Sequence, residues 1–219
     1  MSSLSIFLVE TVNYPVLLTF VISSAALAIA PGPDNIFVLA QSISNGVKSG
    51  LATVAGLVSG CLVHTTLLAF GVSEIIKRSD SLFFGIKLFG AIYLLYLAIM
   101  VYRSDATILL DKGNGSTKGL SKLFWKGFTM NVLNPKVTIF FLAFFPGFLF
   151  SDELHTVIQF YVLGLLFMLV AFLIFGLIAV LAGSISNYLL KNPKAGIYLK
   201  WLQIVVFVLI AVYLLLSDK

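Results

Sequence analysis

Pro31-Gly32-Pro33-Asp34-Asn35 and Asn131-Val132-Leu133-Asn134-Pro135-Lys136 decide how this chain folds. Each interrupts a long apolar segment with proline, asparagine and one ionised side chain. Proline removes a backbone donor and clashes with the preceding turn, so each motif predicts a broken helix. A charge at the centre of a membrane helix is unfavourable by about 2.5–3.5 kcal/mol on insertion scales. Asp34 and Lys136 therefore need a protein-lined cavity. A discontinuous span with a charge at its break is how many transporters build a substrate site.

The rest of the chain supplies the membrane context. Of 219 residues, 60% are hydrophobic and 11% charged, with a mean hydropathy of +1.08. About 20 apolar residues cross a bilayer, and six segments qualify: about 15–40, 50–72, 82–102, 127–150, 155–183 and 195–216. They consume most of the sequence. The expected fold is one all-α integral membrane domain over 1–219, with six transmembrane helices of which the first and fourth are broken. No Lys or Arg precedes the first apolar run, and Ala28-Ile29-Ala30 is followed by proline, which argues against a cleaved signal peptide. The single Cys61 excludes an intrachain disulfide and a CxxC redox pair.

The net charge of +5 raises nucleic acid as a partner, but its distribution points to the bilayer. Lys48, Arg103, Lys112, Lys118, Lys122, Lys126, Lys191, Lys194 and Lys200 fall in or beside connections 1, 3 and 5. Lys77, Arg78 and Lys219 fall on the opposite side. The positive-inside rule places those three connections in the cytoplasm and both termini outside. Trp125-Lys126 and Tyr198, Lys200 and Trp201 read as interfacial anchors.

The longest connection, 103–126, contains Gly113-Asn114-Gly115-Ser116 and reads as a flexible cytoplasmic loop. It divides the chain into halves of about 15–102 and 127–216, with three spans each. An odd number of spans inverts the second half, and both halves carry the proline break in their first span. Ile36-Phe37-Val38-Leu39-Ala40 after the first break resembles Ile139-Phe140-Phe141-Leu142-Ala143 after the second. This is the pattern of an inverted 3+3 repeat. Asp34 lies about 9 Å and Lys136 about 13 Å from the cytoplasmic ends of their spans at helical rise, so the breaks are expected to meet.

At each break the local chemistry is explicit. Asp34 or Asn35 is expected to N-cap a half-helix from Ile36, and Asn134 one that starts at Pro135. Unpaired N–H groups and a partial positive charge at such ends suit a carboxylate. Lys136 adds a full positive charge, while Asp34 suits an ammonium group. Together they match the two ends of an amino-acid zwitterion. A buried structural ion pair between Asp34 and Lys136 is the plainer alternative.

Other polar residues carry less. Ala52, Gly56, Gly60 and His64 form one stripe on span 2, with a GxxxG match that serves contacts within one chain or between copies of a homo-oligomer. His64 is a proton-coupling candidate, though a packing histidine is the plainer reading. Lys87, Gly90, Ala91, Leu94 and Ala98 form a similar stripe on span 3. Lys87 and Tyr93 are secondary site candidates. Five residues inside its span, Lys87 is expected to snorkel to the interface. Tyr93, Tyr96 and Tyr102 read as packing or interfacial side chains. His155, with Asp152 and Glu153, reads as a solvated cluster and a weak metal signal. HExxH, GxSxG and Walker motifs are absent from the sequence, so an enzyme is not expected.

Ala30-Pro31-Gly32-Pro33-Asp34-Asn35 resembles the signature of the lysine exporter (LysE) superfamily, in particular its homoserine/threonine efflux (RhtB-type) branch. Gly56, Gly60 and His64, the 87–94 segment Lys-Leu-Phe-Gly-Ala-Ile-Tyr-Leu, and Asn131 with Asn134-Pro135-Lys136 fit in the same order. The resemblance covers essentially the whole chain. It implies a six-helix protein of the bacterial inner membrane that exports amino acids or close derivatives. It also implies coupling to the proton motive force without nucleotide or cofactor. Carried over, Gly32, Asp34, Asn35, Asn131, Asn134 and Lys136 become the substrate-binding set, with Pro31, Pro33 and Pro135 as helix breakers. With one intramembrane acid, a small neutral substrate, perhaps hydroxylated, is favoured over a dibasic one. A channel or structural membrane subunit is the remaining alternative.

Overall fold

The computed structural model describes residues 12–72, 80–104, 119–192 and 194–216. Lys77, Arg78, Lys112, Lys118, Lys219 and the Gly113–Ser116 run lie outside the described residues. Helices account for nearly all that is described, with no strand among those residues. They are α1 (Tyr14–Ile29), α2 (Pro33–Asn45), α3 (Val47–Leu67), α4 (Asp80–Arg103), α5 (Leu120–Val132), α6 (Pro135–Phe144), α7 (Thr156–Val180), α8 (Ala182–Lys191) and α9 (Ala195–Leu216). A π-helical turn, Leu68–Val72, prolongs α3, and a 3₁₀ turn, Phe145–Phe148, prolongs α6.

Four of these helices are long and apolar enough to cross a membrane singly. Two further spans arise if α1 with α2, and α5 with α6 and its 3₁₀ turn, are each taken as one bent element. The bends measure 59° and 53°. The described helices thus give four to six candidate spans, six when the first and fourth are bent pairs. Each bend follows from its sequence. Pro33 and Pro135 occupy the first turns of α2 and α6, where a missing N–H is harmless and φ is already suitable. The preceding residues are extended, Gly32 at φ −159° and Asn134 at φ −79°, ψ 108°.

The halves exchange partners symmetrically. The second span of the first half, α3, packs most extensively on α5, the broken first span of the second half. Reciprocally α7 packs on α1 and α2, while the third spans α4 and α9 lie together. Glycine makes the α3–α5 approach close. A Cβ on Gly56 would meet the Phe124 carbonyl, and one on Gly127 would meet the Thr53 carbonyl. The GxxxG stripe is therefore spent on contacts within the chain.

One half of the bundle is sealed by aromatic rings. Phe20 of α1, Phe140, Phe141 and Phe144 of α6, and Phe145 and Phe148 of the 3₁₀ turn are each at most 1% exposed. Phe140 stacks on Phe144 at 4.4 Å, Phe141 on Phe145 at 4.2 Å, and Phe148 on Tyr213 of α9 at 4.8 Å. Phe20 meets Phe145 edge-on at 5.0 Å. Offset and edge-on pairs at such distances add about 0.5–1.5 kcal/mol each beyond burial. The cluster lies between the breaks and the bundle end where Asn13 N–H donates to the Phe150 carbonyl at 2.8 Å. At the same end, Gln159 accepts from Phe150 and Ser151 N–H and donates to the Ser151 and Leu154 carbonyls.

The span 3 stripe is buried throughout, from Lys87 to Ala98. A Cβ on Gly90 would meet Ala143 and Leu214, so the stripe faces α6 and α9. Lys87 is 7% exposed and does not snorkel, contrary to the expectation. Its position on a protein-facing stripe overrides its proximity to the interface. His155 is exposed, as its polar surroundings suggest, and its Nδ1 accepts from Val157 N–H as the N-cap of α7.

Candidate functional site

The two breaks meet. A cavity of about 40 Å³ lies between them, with Gly32, Pro33, Asp34, Asn35, Asn131, Asn134 and Lys136 in its wall. Seven of the residues singled out in the sequence thus share one enclosure. His64 adjoins it through Asn131. Lys87 and Tyr93 do not line it, and neither do Pro31 and Pro135, whose part is to break the helices.

Each polar side chain has a structural cause for its position. Asn134 caps α6 as expected, its Oδ1 accepting from Lys136 N–H at 3.0 Å. Its Nδ2 reaches across the break and donates to Asp34 Oδ2 at 3.2 Å. The other carboxylate oxygen, Asp34 Oδ1, is buried with no hydrogen-bond partner. Unsatisfied buried acceptors are rare, and each one calls for a specific explanation.

The first break departs from expectation. Helix α2 starts at Pro33 rather than Ile36, with Gly32 at the N-cap position and no side-chain cap. Neither Asp34 nor Asn35 caps it, because proline already provides a suitable first helical residue. Asp34 falls in the first turn and Asn35 serves another purpose. Asn35 Nδ2 donates to the Ala28 carbonyl at 2.8 Å, satisfying an acceptor that the break in α1 strands.

Lys136 projects into the same enclosure. Its Nζ lies 4.9 Å from the Phe207 ring centroid and makes no hydrogen bond with any described residue. It also lies 3.4 Å from where a Cβ on Gly32 would stand. The absence of a side chain at Gly32 keeps the space beside the ammonium open. Because Asp34 Oδ1 is unpartnered and Oδ2 bonds only Asn134, Lys136 is not hydrogen-bonded to the carboxylate. The two groups nonetheless interact electrostatically across the space. A carboxylate and an ammonium thus front one space.

Asn131, 3% exposed, links this space to span 2. Its Oδ1 accepts from Cys61 Sγ at 3.7 Å, and its carbonyl lies 3.2 Å from His64 Nε2. The His64 ring also lies 5.4 Å from Phe141. His64 faces protein, as its stripe predicts.

The remaining wall is apolar: Leu27 and Ala28 of α1, Leu57 and Val58 of α3, Val137 and Phe140 of α6, and Phe167, Ala171 and Phe175 of α7, with Cys61 beside them. Among the described residues, no serine, threonine or tyrosine belongs to it. Sequence reading missed this wall. Phe167, Ala171 and Phe175 recur every four residues on one face of α7, but its whole surface is apolar and nothing marks that face.

A family of known proteins spans this architecture. The profile of the LysE type translocators matches residues 25–218, which include both breaks and every helix after α1. The chain belongs to the LysE type translocator family. It is accordingly a multi-pass membrane transporter and not an enzyme. Leucine efflux proteins of Salmonella choleraesuis (strain SC-B67), Salmonella typhimurium (strain LT2) and Salmonella typhi are similar to this translocator. Each is 27% identical over 179 residues, covering 80% of this chain and 83% of the relative. No solved structure matches the translocator.

Proposed function

We propose that this translocator exports neutral apolar amino acids across the bacterial inner membrane by proton-coupled alternating access. The observation that carries the reading is a carboxylate and an ammonium facing one space with an otherwise apolar wall. Among the described residues, Asp34 Oδ1 has no hydrogen-bond partner and the Lys136 ammonium makes no hydrogen bond. Asp34 would hold the substrate ammonium, and Lys136 with the N-terminus of α6 would hold the carboxylate. The side chain would lie against Leu57, Val58, Phe140 and the α7 face. A wall without hydroxyl groups supports an aliphatic side chain over the hydroxylated one favoured from sequence. The leucine efflux relatives support the same choice and the export direction.

In the proposed cycle, Asp34 carries a proton on one passage and the substrate ammonium on the other. The symmetric exchange of partners between the halves supports an inverted repeat, whose rocking would expose the breaks to each face in turn. The distribution of basic residues supports an orientation with connections 1, 3 and 5 in the cytoplasm and both termini outside. In that orientation the phenylalanine cluster lies on the outer side of the site.

The reading is tested in proteoliposomes by counterflow of labelled amino acids, with and without a pH gradient. Wild-type protein is expected to exchange leucine saturably, and a pH gradient to drive its accumulation. Asp34→Asn is expected to lose pH-driven accumulation while remaining folded in the membrane. Full pH-driven activity in that variant would remove Asp34 as the proton carrier. Failure of the wild type to exchange any amino acid would overturn the substrate assignment.

A further inference from the structure

We propose that Ala171 sets the size of the substrate side chain that the cavity accepts. The inference rests on the export reading above and adds the residue that selects among substrates. Helix α7 contributes Phe167, Ala171 and Phe175 to the wall, at consecutive i, i+4 positions on one face of an unbroken span. All three are buried, Ala171 at 2% exposure. The two phenylalanines bracket the alanine one turn away on either side. Between them the wall is contributed by a single methyl group.

Neighbouring positions are less free to vary. Phe167 is fixed against Phe140 at 5.6 Å and Phe141 at 5.2 Å, so changing it disturbs the aromatic seal. Ala28, the other alanine in the wall, lies at the break, with its carbonyl taken by Asn35. There it borders the groups assigned to the substrate's charged ends. Ala171 lies on a helix with neither break nor ionised residue. The enclosed volume is only about 40 Å³, so even one added carbon removes a meaningful share of it. One methylene more or fewer in an apolar pocket changes selectivity by roughly 10- to 200-fold.

The test compares wild type, Ala171→Gly and Ala171→Leu in proteoliposomes, by counterflow of labelled alanine, leucine and phenylalanine. Ala171→Leu is expected to lower the leucine-to-alanine exchange ratio by about 10-fold or more while alanine exchange persists. Ala171→Gly is expected to raise the phenylalanine-to-leucine ratio by about 10-fold. A purely structural role for Ala171 would scale all three substrates together and leave both ratios unchanged, which would overturn the proposal. If Ala171→Leu does not fold, the glycine variant alone decides. A wild type that exchanges none of the three would bring down the export reading, and the selector with it. An active wild type with unchanged ratios in the variants refutes the selector alone.

Discussion

Gly56→Ala tests whether close backbone approach holds the translocator's halves together. A Cβ at Gly56 would meet the Phe124 carbonyl oxygen, with Phe124 C at 2.8 Å and Phe128 N at 2.9 Å. These are backbone atoms of α5, which cannot swing aside as a side chain would. Overpacking of this kind destabilises by about 1–3 kcal/mol, and the upper end applies where the neighbour is backbone. Replacing glycine within a helix returns about 1 kcal/mol through propensity. The expected net loss is about 1–2 kcal/mol, or a melting temperature lower by about 2–8 °C. Gly176→Ala provides the control, because a Cβ there meets nothing within 4 Å. It should gain up to about 1 kcal/mol from propensity. Purified protein in one detergent, melted by scanning fluorimetry, reads both. If Gly56→Ala melts at or above Gly176→Ala, the α3–α5 contact is not limited by backbone approach.

Two further outcomes follow from single hydrogen-bonding residues. Asn134→Ala removes both the α6 cap and the bond to Asp34 Oδ2; it should lower stability by about 0.5–2 kcal/mol, read by thermal melting, and raise KM for the exported amino acid. Gln159→Leu keeps the volume but removes both acceptor contacts and both donor contacts to the 150–154 segment; hydrogen exchange of the Phe150 and Ser151 amides should accelerate by at least about 10-fold, and unchanged protection would show that the backbone holds this turn unaided.

The sequence carried the positions of the breaks because proline, asparagine and charge are conspicuous in apolar surroundings. Asn134-Pro135 predicted its cap to the residue, since Asn and Pro each favour that position for a separate physical reason. Pro31-Gly32-Pro33 was less legible. Two prolines leave two places for a helix to start, and the structure uses the second, which frees Asn35 to serve α1. Stripes were legible on spans 2 and 3, where small residues interrupt larger ones. Lys87 shows the limit, because depth in the membrane and helical face gave opposite answers and the face prevailed. The α7 wall was illegible for a simpler reason. A helix apolar on every side does not reveal which side meets a cavity.

The phenylalanine cluster also bears on what the translocator does when it is idle. Membrane transporters stand in a continuous electric field, and any water-filled thread through them would dissipate it. Interlocked rings on Phe20, Phe140, Phe144, Phe145 and Phe148 form a continuous apolar layer. Apolar constrictions of this kind exclude ions by dewetting. Rings packed in this way are suited to act as such a barrier on one side of the cavity between the breaks.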